Sequence, residues 1–230
     1  MKKVYTNTGI HNAIASLAKS GLSHLMGAAI IGSCLLVAGC ESSSDSDDDS
    51  GETLSETSVD SNSSHPMFPD GLHPNGAGSD RIARVFASAL GALDPGDERP
   101  IVCIGDSITA SGYPAILEEI TGRTVINAGA GGERSTEGVA RVGGVLSKHK
   151  PSHLCILYGI NDINSGHPNS EVIGSLNAIV AAARAAGAEP IVGTLTPVFG
   201  KYAENQVYVN DLNSRIRSLG VRIANLAGAF

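Results

Sequence analysis

Ile101-Val102-Cys103-Ile104-Gly105-Asp106-Ser107-Ile108-Thr109 is the stretch that decides how this chain folds. Four consecutive apolar residues with no polar alternation suit a parallel strand covered on both faces. A glycine ends the run, and an acid and a serine follow in the turn. Similar short runs rich in Val, Ile and Leu recur at Thr124–Asn127, His153–Tyr158, Pro190–Thr194 and Val221–Asn225. Helical patterns lie between them at Tyr113–Ile120, Thr136–Lys148, Glu171–Ala186 and Ala203–Leu219. Gly122, Gly187 and Gly220 close three of these, where helices tend to stop. A further helix is predicted at about Asn75–Leu90, and Gly91–Pro100 reads as its connection to the first strand. The alternation predicts an α/β fold, a three-layer α/β/α sandwich around a parallel sheet. In open sheets of this kind ligands bind at the carboxyl ends of strands, which puts Ser107 in a crevice.

The body so defined is shorter than the 230-residue chain. Met1–Gly39 reads as an export signal, with Lys2 and Lys3 as its basic start and Ala28–Ala38 as an apolar run too short for a membrane span. Leu36-Val37-Ala38-Gly39-Cys40 resembles a bacterial lipobox, in which Cys40 becomes the acylated first residue. The alternative is an ordinary signal with an unrelated cysteine. Glu41–Ser64 is rich in serine and carries eight acids and no base. Such a segment buries too little apolar surface to offset its ordering entropy, so a flexible tether is expected. The rest, 65–230, suits one domain with one core.

Of the 16 basic and 23 acidic residues, three lysines fall in the leader and eight acids in the tether, which leaves the body near neutral. No basic stripe is present, and nucleic-acid binding is excluded on that ground. Cys34 and Cys40 belong to the leader and lipobox; Cys103 and Cys155 lie in strand-like runs. These two are buried thiols, or a disulfide if their strands are neighbours. No Cys or His spacing suits a metal, and no cofactor is expected.

Three further blocks carry chemistry. Asn127-Ala128-Gly129-Ala130-Gly131-Gly132-Glu133-Arg134-Ser135 follows the second strand, and Gly159-Ile160-Asn161-Asp162 follows the third. Asp70-Gly71-Leu72-His73-Pro74-Asn75 precedes them all. Singly, each reads as a turn, a helix cap or a plain loop. Together with Gly105-Asp106-Ser107 they resemble the SGNH (GDSL) hydrolase family over about residues 66–230. The resemblance implies a flavodoxin-like five-stranded sheet, Ser107 as nucleophile, His73 as base and Asp70 as its orienting acid. It also implies an oxyanion hole made by the amides of Ser107 and Gly132 and the side-chain amide of Asn161. The chemistry agrees: a serine hydroxyl needs an imidazole to take its proton, and the imidazole needs a partner on its other nitrogen.

One feature departs from that family. Its Asp-x-x-His block normally comes last, whereas here no histidine follows His167. Either the base has been lost, or the fold is circularly permuted; joining Val221–Phe230 to Pro66–Pro69 would restore the usual order, which favours permutation. His167 is the rival base, but Asn164 stands where its acid would be. Asp106 and Asp162 read as structural hydrogen-bonders. Glu133-Arg134 replaces the frequent Asp-Thr and is expected at the rim. Ile108, Tyr113, Arg134, Ile160, Pro197 and Val198 are candidate substrate contacts on position alone, with core packing the alternative for the apolar ones. The expectation is a monomeric esterase of the cell envelope, lipid-anchored to a bacterial membrane. It would cleave short acyl esters, or acetyl esters on carbohydrate, through an acyl-enzyme. The alternatives are a lysophospholipase or thioesterase, and a non-catalytic carbohydrate-binding surface lipoprotein.

Overall fold

In a computed structural model, which describes residues 65–230, the apolar runs become five strands of one sheet. They are β1 (Ile101–Gly105), β2 (Val125–Gly129), β3 (His153–Leu157), β4 (Glu189–Gly193) and β5 (Arg222–Ala224). All pair in parallel in the order β2-β1-β3-β4-β5, the flavodoxin-like arrangement. The leader, Cys40 and the acidic tether lie outside the described residues.

Among the described residues seven α-helices flank the strands: α1 (Gly76–Leu90), α2 (Ser107–Ala110), α3 (Tyr113–Thr121), α4 (Ser135–His149), α5 (Ile160–Asn164), α6 (Asn169–Ala185) and α7 (Gln206–Arg217). α1 packs on α3, with the Phe86 and Tyr113 rings stacked at 5.2 Å, and α4 packs on α6. With helices on both faces, every residue of β1 is buried, which explains its unbroken apolar run. Cys103 and Cys155 face one another in register across β1 and β3 as buried free thiols.

Two elements were not legible beforehand. α2 and α5 have only four and five residues, too few to show a 3.6-residue period. The helix expected from Ala203 begins at Gln206, because a 3-10 turn occupies Gly200–Asn205. Both missed helices start directly after a strand, α2 after β1 and α5 after β3. From β1 the chain turns to β2 on one side, then crosses to β3 on the other. The crevice at the carboxyl ends of β1 and β3 is therefore the switch point at which open α/β sheets bind ligands.

The turn that carries Ser107 is wedged against β2. A Cβ added at Gly129 would stand 2.3 Å from the Ala110 nitrogen and 2.8 Å from its Cα, so backbone would have to move. Gly129→Ala is expected to cost about 1–3 kcal/mol in urea unfolding and to shift α2, lowering the reactivity of Ser107 in the folded protein. Wild-type stability and reactivity in that variant would show that the contact is loose.

Candidate active site

Ser107 is the first residue of α2, so its amide has no partner within the helix and faces the crevice end of β1. Asp106 is the cap: its Oδ1 accepts the Ile108 N–H at 2.9 Å. The Asp106 side chain is fully buried, and its Oδ2 has no hydrogen-bond partner among the described residues. Burial pushes this carboxyl up to about 7; the Ile108 amide and His73 oppose the shift, and Asp162 and Glu133 add to it.

The block that precedes the sheet in sequence reaches the same spot. His73 Nε2 lies 2.9 Å from Ser107 Oγ, and His73 Nδ1 lies 2.6 Å from Asp70 Oδ2. With the ring proton on Nδ1 donated to Asp70, Nε2 is free to accept from the serine hydroxyl. Asp70 Oδ1 accepts the amides of Leu72 at 2.9 Å and His73 at 2.7 Å. Partial burial alone would raise the Asp70 carboxyl, but these hydrogen bonds outweigh it and hold it down to about 2. It is therefore ionised at neutral pH.

Gly71 is what lets this turn dock. Its φ is +83°, and a Cβ there would lie 2.3 Å from the Phe199 carbonyl oxygen. In return Phe199 N–H donates to the Gly71 carbonyl at 2.8 Å. Around the bond sits an aromatic cluster. His65 stacks on Phe199 at 4.4 Å, and Phe68 packs on Phe199 at 5.6 Å. The carboxy-terminal Phe230 meets Phe68 edge-on at 4.9 Å, so the last residue and Pro66–Pro69 are neighbours.

The second and third blocks form one network. Asn161 Nδ2 donates to the Glu133 backbone carbonyl at 2.9 Å, leaving a second amide proton for another acceptor. Gly132 is exposed, with φ +77° and nothing within 4 Å of the place its Cβ would take, so its backbone is open to a ligand. Asp162 is buried and accepts from Ser135, its Oδ1 taking the hydroxyl at 2.7 Å and its Oδ2 the amide at 3.0 Å. Glu133 does not lie at the rim as expected. Its carboxylate turns inward to accept from Tyr158 Oη and Arg141 Nε, each at 2.7 Å, and Arg141 also donates to the Ala128 carbonyl at 2.6 Å. Arg134 does lie half-exposed, with Nη1 2.6 Å from His167 Nε2. His167 Nδ1 lies 3.1 Å from Glu171. Both ring nitrogens of His167 are thus engaged away from Ser107.

Among the other positional candidates, Pro197 is half-buried, but Ile108, Tyr113, Ile160 and Val198 are at most 4% exposed and belong to the core. They do not form open pocket walls, since position after a strand does not tell a wall from a residue pointing back into the sheet. Tyr158, Arg141 and Phe199 were missed. Only the adjacency of Tyr158 to Gly159 was available as a clue, because their partners lie far off in sequence. Among the described residues no group of three or more His, Cys, Asp or Glu side chains is arranged to hold a metal.

The Asp106 environment has a pH consequence. Its carboxyl rises from 3.8 to about 7 on folding, so the penalty for burying its charge is absent below about pH 4 and grows up to pH 7. Native stability measured against Asp106→Asn should therefore fall as pH rises from 4 to 7 and level off above. Parallel urea midpoints across that range would contradict the burial of an unpaired charge.

Comparison with known proteins identifies the family. The GDSL-like Lipase/Acylhydrolase family profile matches residues 103–229. "Thioesterase 1/protease 1/lysophospholipase L1" of Escherichia coli (strain K12) is 29% identical over 101 residues, 40% of this chain and 49% of that protein. The chain thus spans about half the length of that relative. An "Arylesterase" of Vibrio mimicus is 27% identical over 142 residues, 55% of this chain and 70% of that protein. A solved structure of a mutant of the esterase AlinE4 superposes with a TM-score of 0.51 at 21% identity, covering 59% of this chain and 80% of that one, which supports the fold. The profile covers more than half of the chain, and the protein belongs to the GDSL-like lipase/acylhydrolase, or SGNH hydrolase, family.

Proposed function

We propose that this protein is a carboxylic ester hydrolase that cleaves short acyl esters, including acetyl esters on carbohydrate, through an acyl-enzyme on Ser107. The observation that carries the reading is the continuous chain from Ser107 Oγ to His73 Nε2 and from His73 Nδ1 to Asp70, at 2.9 and 2.6 Å. His73 takes the hydroxyl proton as Ser107 attacks the ester carbonyl, and Asp70 stabilises the imidazolium. Charge then builds on the carbonyl oxygen, where the amides of Ser107 and Gly132 and the free proton of Asn161 Nδ2 are the donors. Each such donor is worth about 3–4 kcal/mol of barrier. The alcohol leaves with the proton from His73. Water then repeats the sequence on the acyl-serine and releases the acid. The name of the Escherichia coli relative favours a second reading, with a thioester or lysophospholipid as substrate.

Two further parts of the reading concern the chain's layout. The first is a circular permutation within the family: the matched region runs from 103 to 229, while Asp70 and His73 stand before it and Phe68 packs on Phe230. The second is a lipid anchor at Cys40, suggested by the lipobox-like Leu36–Cys40 and the acidic serine-rich segment behind it. It implies tethering at the bacterial cell envelope, and we propose a monomer there. Cys40→Ser should move the protein from the membrane to the soluble fraction; retention in the membrane would contradict acylation.

Ester hydrolysis tests the chemistry. The wild-type protein is expected to cleave p-nitrophenyl acetate faster than palmitoyl thioesters. Ser107→Ala and His73→Ala should each remove nearly all activity, and His167→Ala should not. Asn161→Ala should lower kcat roughly a hundredfold to a thousandfold with little change in KM. Full activity of His73→Ala would overturn the assigned base, and an effect of Asn161→Ala on KM alone would make Asn161 a binding residue.

A further inference from the structure

A cleft of about 670 Å³ opens between α5, the start of α6 and the start of α7. Its size falls in the roughly 300–1,000 Å³ range of small-ligand sites. We infer that it is a glycosyl-binding subsite, which holds the sugar of an acylated carbohydrate while the ester reaches Ser107; this rests on the esterase reading above.

The lining states the ligand class. Asn164, Asn169 and Asn205 border the cleft, together with His167, Asp211 and Tyr208. Their mutual bonds fix them in place: Asn205 Nδ2 donates to Asn164 Oδ1 at 2.9 Å, and Asn169 Nδ2 donates to Asp211 Oδ2 at 2.8 Å and to the Tyr208 carbonyl at 2.9 Å. That leaves the Asn164 amide donors and the Asn169 and Asn205 carbonyl oxygens with no protein partner among the described residues. A preset fan of free donors and acceptors matches hydroxyl groups, each of which both donates and accepts. A fatty acyl chain laid against the same amides would strip them of water and return nothing. Apolar atoms make up about half of the lining; Ile163 is only 6% exposed, and Pro168 and the Tyr208 ring are the other apolar groups there, a mix that suits a sugar ring with its hydroxyl rim. Tyr208 is 57% exposed, unusual for an aromatic with no ligand, and offers a flat apolar face to a sugar ring. Asp211 is paired with Arg215 at 2.8 Å and His167 with Glu171, which leaves Glu204 as the acidic wall residue with no ion pair among the described residues, an acceptor for hydroxyl groups.

Position ties the cleft to the proposed oxyanion donor Asn161. Asn161 and Asn164 are three residues apart on α5, neighbours on one helix face at about 5–6 Å between Cβ atoms. The opposite wall, at Asn205, ends the 3-10 turn that starts directly after Phe199, which is bonded to Gly71 beside the catalytic block. A sugar in the cleft thus stands one helical turn from the proposed oxyanion donor.

The test compares two substrates. Tyr208→Ala and Asn164→Ala change half-open surface, so folding should survive. Each is assayed on p-nitrophenyl acetate and on acetylated xylo-, gluco- and manno-oligosaccharides. The ratio of kcat/KM for the best sugar ester to that for p-nitrophenyl acetate should fall about tenfold or more, through KM. An unchanged ratio overturns the inference, as does a wild type that cleaves p-nitrophenyl acetate but none of the sugar esters. A selective loss on p-nitrophenyl decanoate would make the cleft an acyl site instead and overturn it too. A wild type inactive on every ester would remove the esterase reading and this inference with it, a pattern distinct from the others.

Discussion

The backbone bond from Phe199 N–H to the Gly71 carbonyl, 2.8 Å long, is the contact on which the site depends. His73 and Ser107 are 34 residues apart, and α1 and a glycine- and proline-rich connection lie between them. Nothing covalent holds the imidazole over the serine. It is the docking of the Pro66–Pro74 turn against the loop after β4 that does so. Only glycine fits position 71, where φ is positive and the Phe199 carbonyl is too close for a Cβ. Phe68, buried within the turn, then packs against the rings of Phe199 and Phe230, and His65 stacks on Phe199. The same packing brings the carboxy terminus to the start of the described body, the proximity that rewiring of chain order requires.

Two acids in the site show how environment divides their work. Asp70 is half-exposed yet held to about 2 by hydrogen bonds from His73 and Leu72, so it stays a permanent anion behind the imidazole. Asp106 is fully buried with an unpaired oxygen, and its carboxyl is pushed up to about 7. In the proposed mechanism the first carboxylate orients the base. The other caps a short helix and carries a desolvation cost that the nucleophile turn tolerates. Glu133, Tyr158, Arg141 and Asn161 supply a second rigid frame, which fixes the loop carrying Gly132 relative to β1 and β3.

Much of this was legible in the sequence, for identifiable reasons. The strands showed because burial on both faces forces an unbroken apolar run, as at Ile101–Ile104. Asp70 and His73 showed because a three-residue spacing lets one carboxylate reach the ring and two amides of its own turn. The inward turn of Glu133 was not legible, because its partners Tyr158 and Arg141 lie 25 and 8 residues away. The assignment of Tyr113 as a pocket wall failed because α1, which covers it, comes before the sheet in sequence, and Phe86 fills the space beside its ring. α2 and α5 were hidden by their shortness, although they position Ser107 and Asn161.

The central claim is that an Asp-His pair presented from the amino-terminal side activates the serine after β1 of the same chain. The second-order rate of Ser107 phosphonylation by a fluorophosphonate, followed by intact-protein mass, tests it most directly, since it reads nucleophile activation without any substrate pocket. The account predicts rapid, single-site labelling of the wild-type protein and a rate lowered at least a hundredfold, roughly the scale of base removal, in His73→Ala. Equal labelling rates in the two proteins, both folded and monomeric, would contradict it.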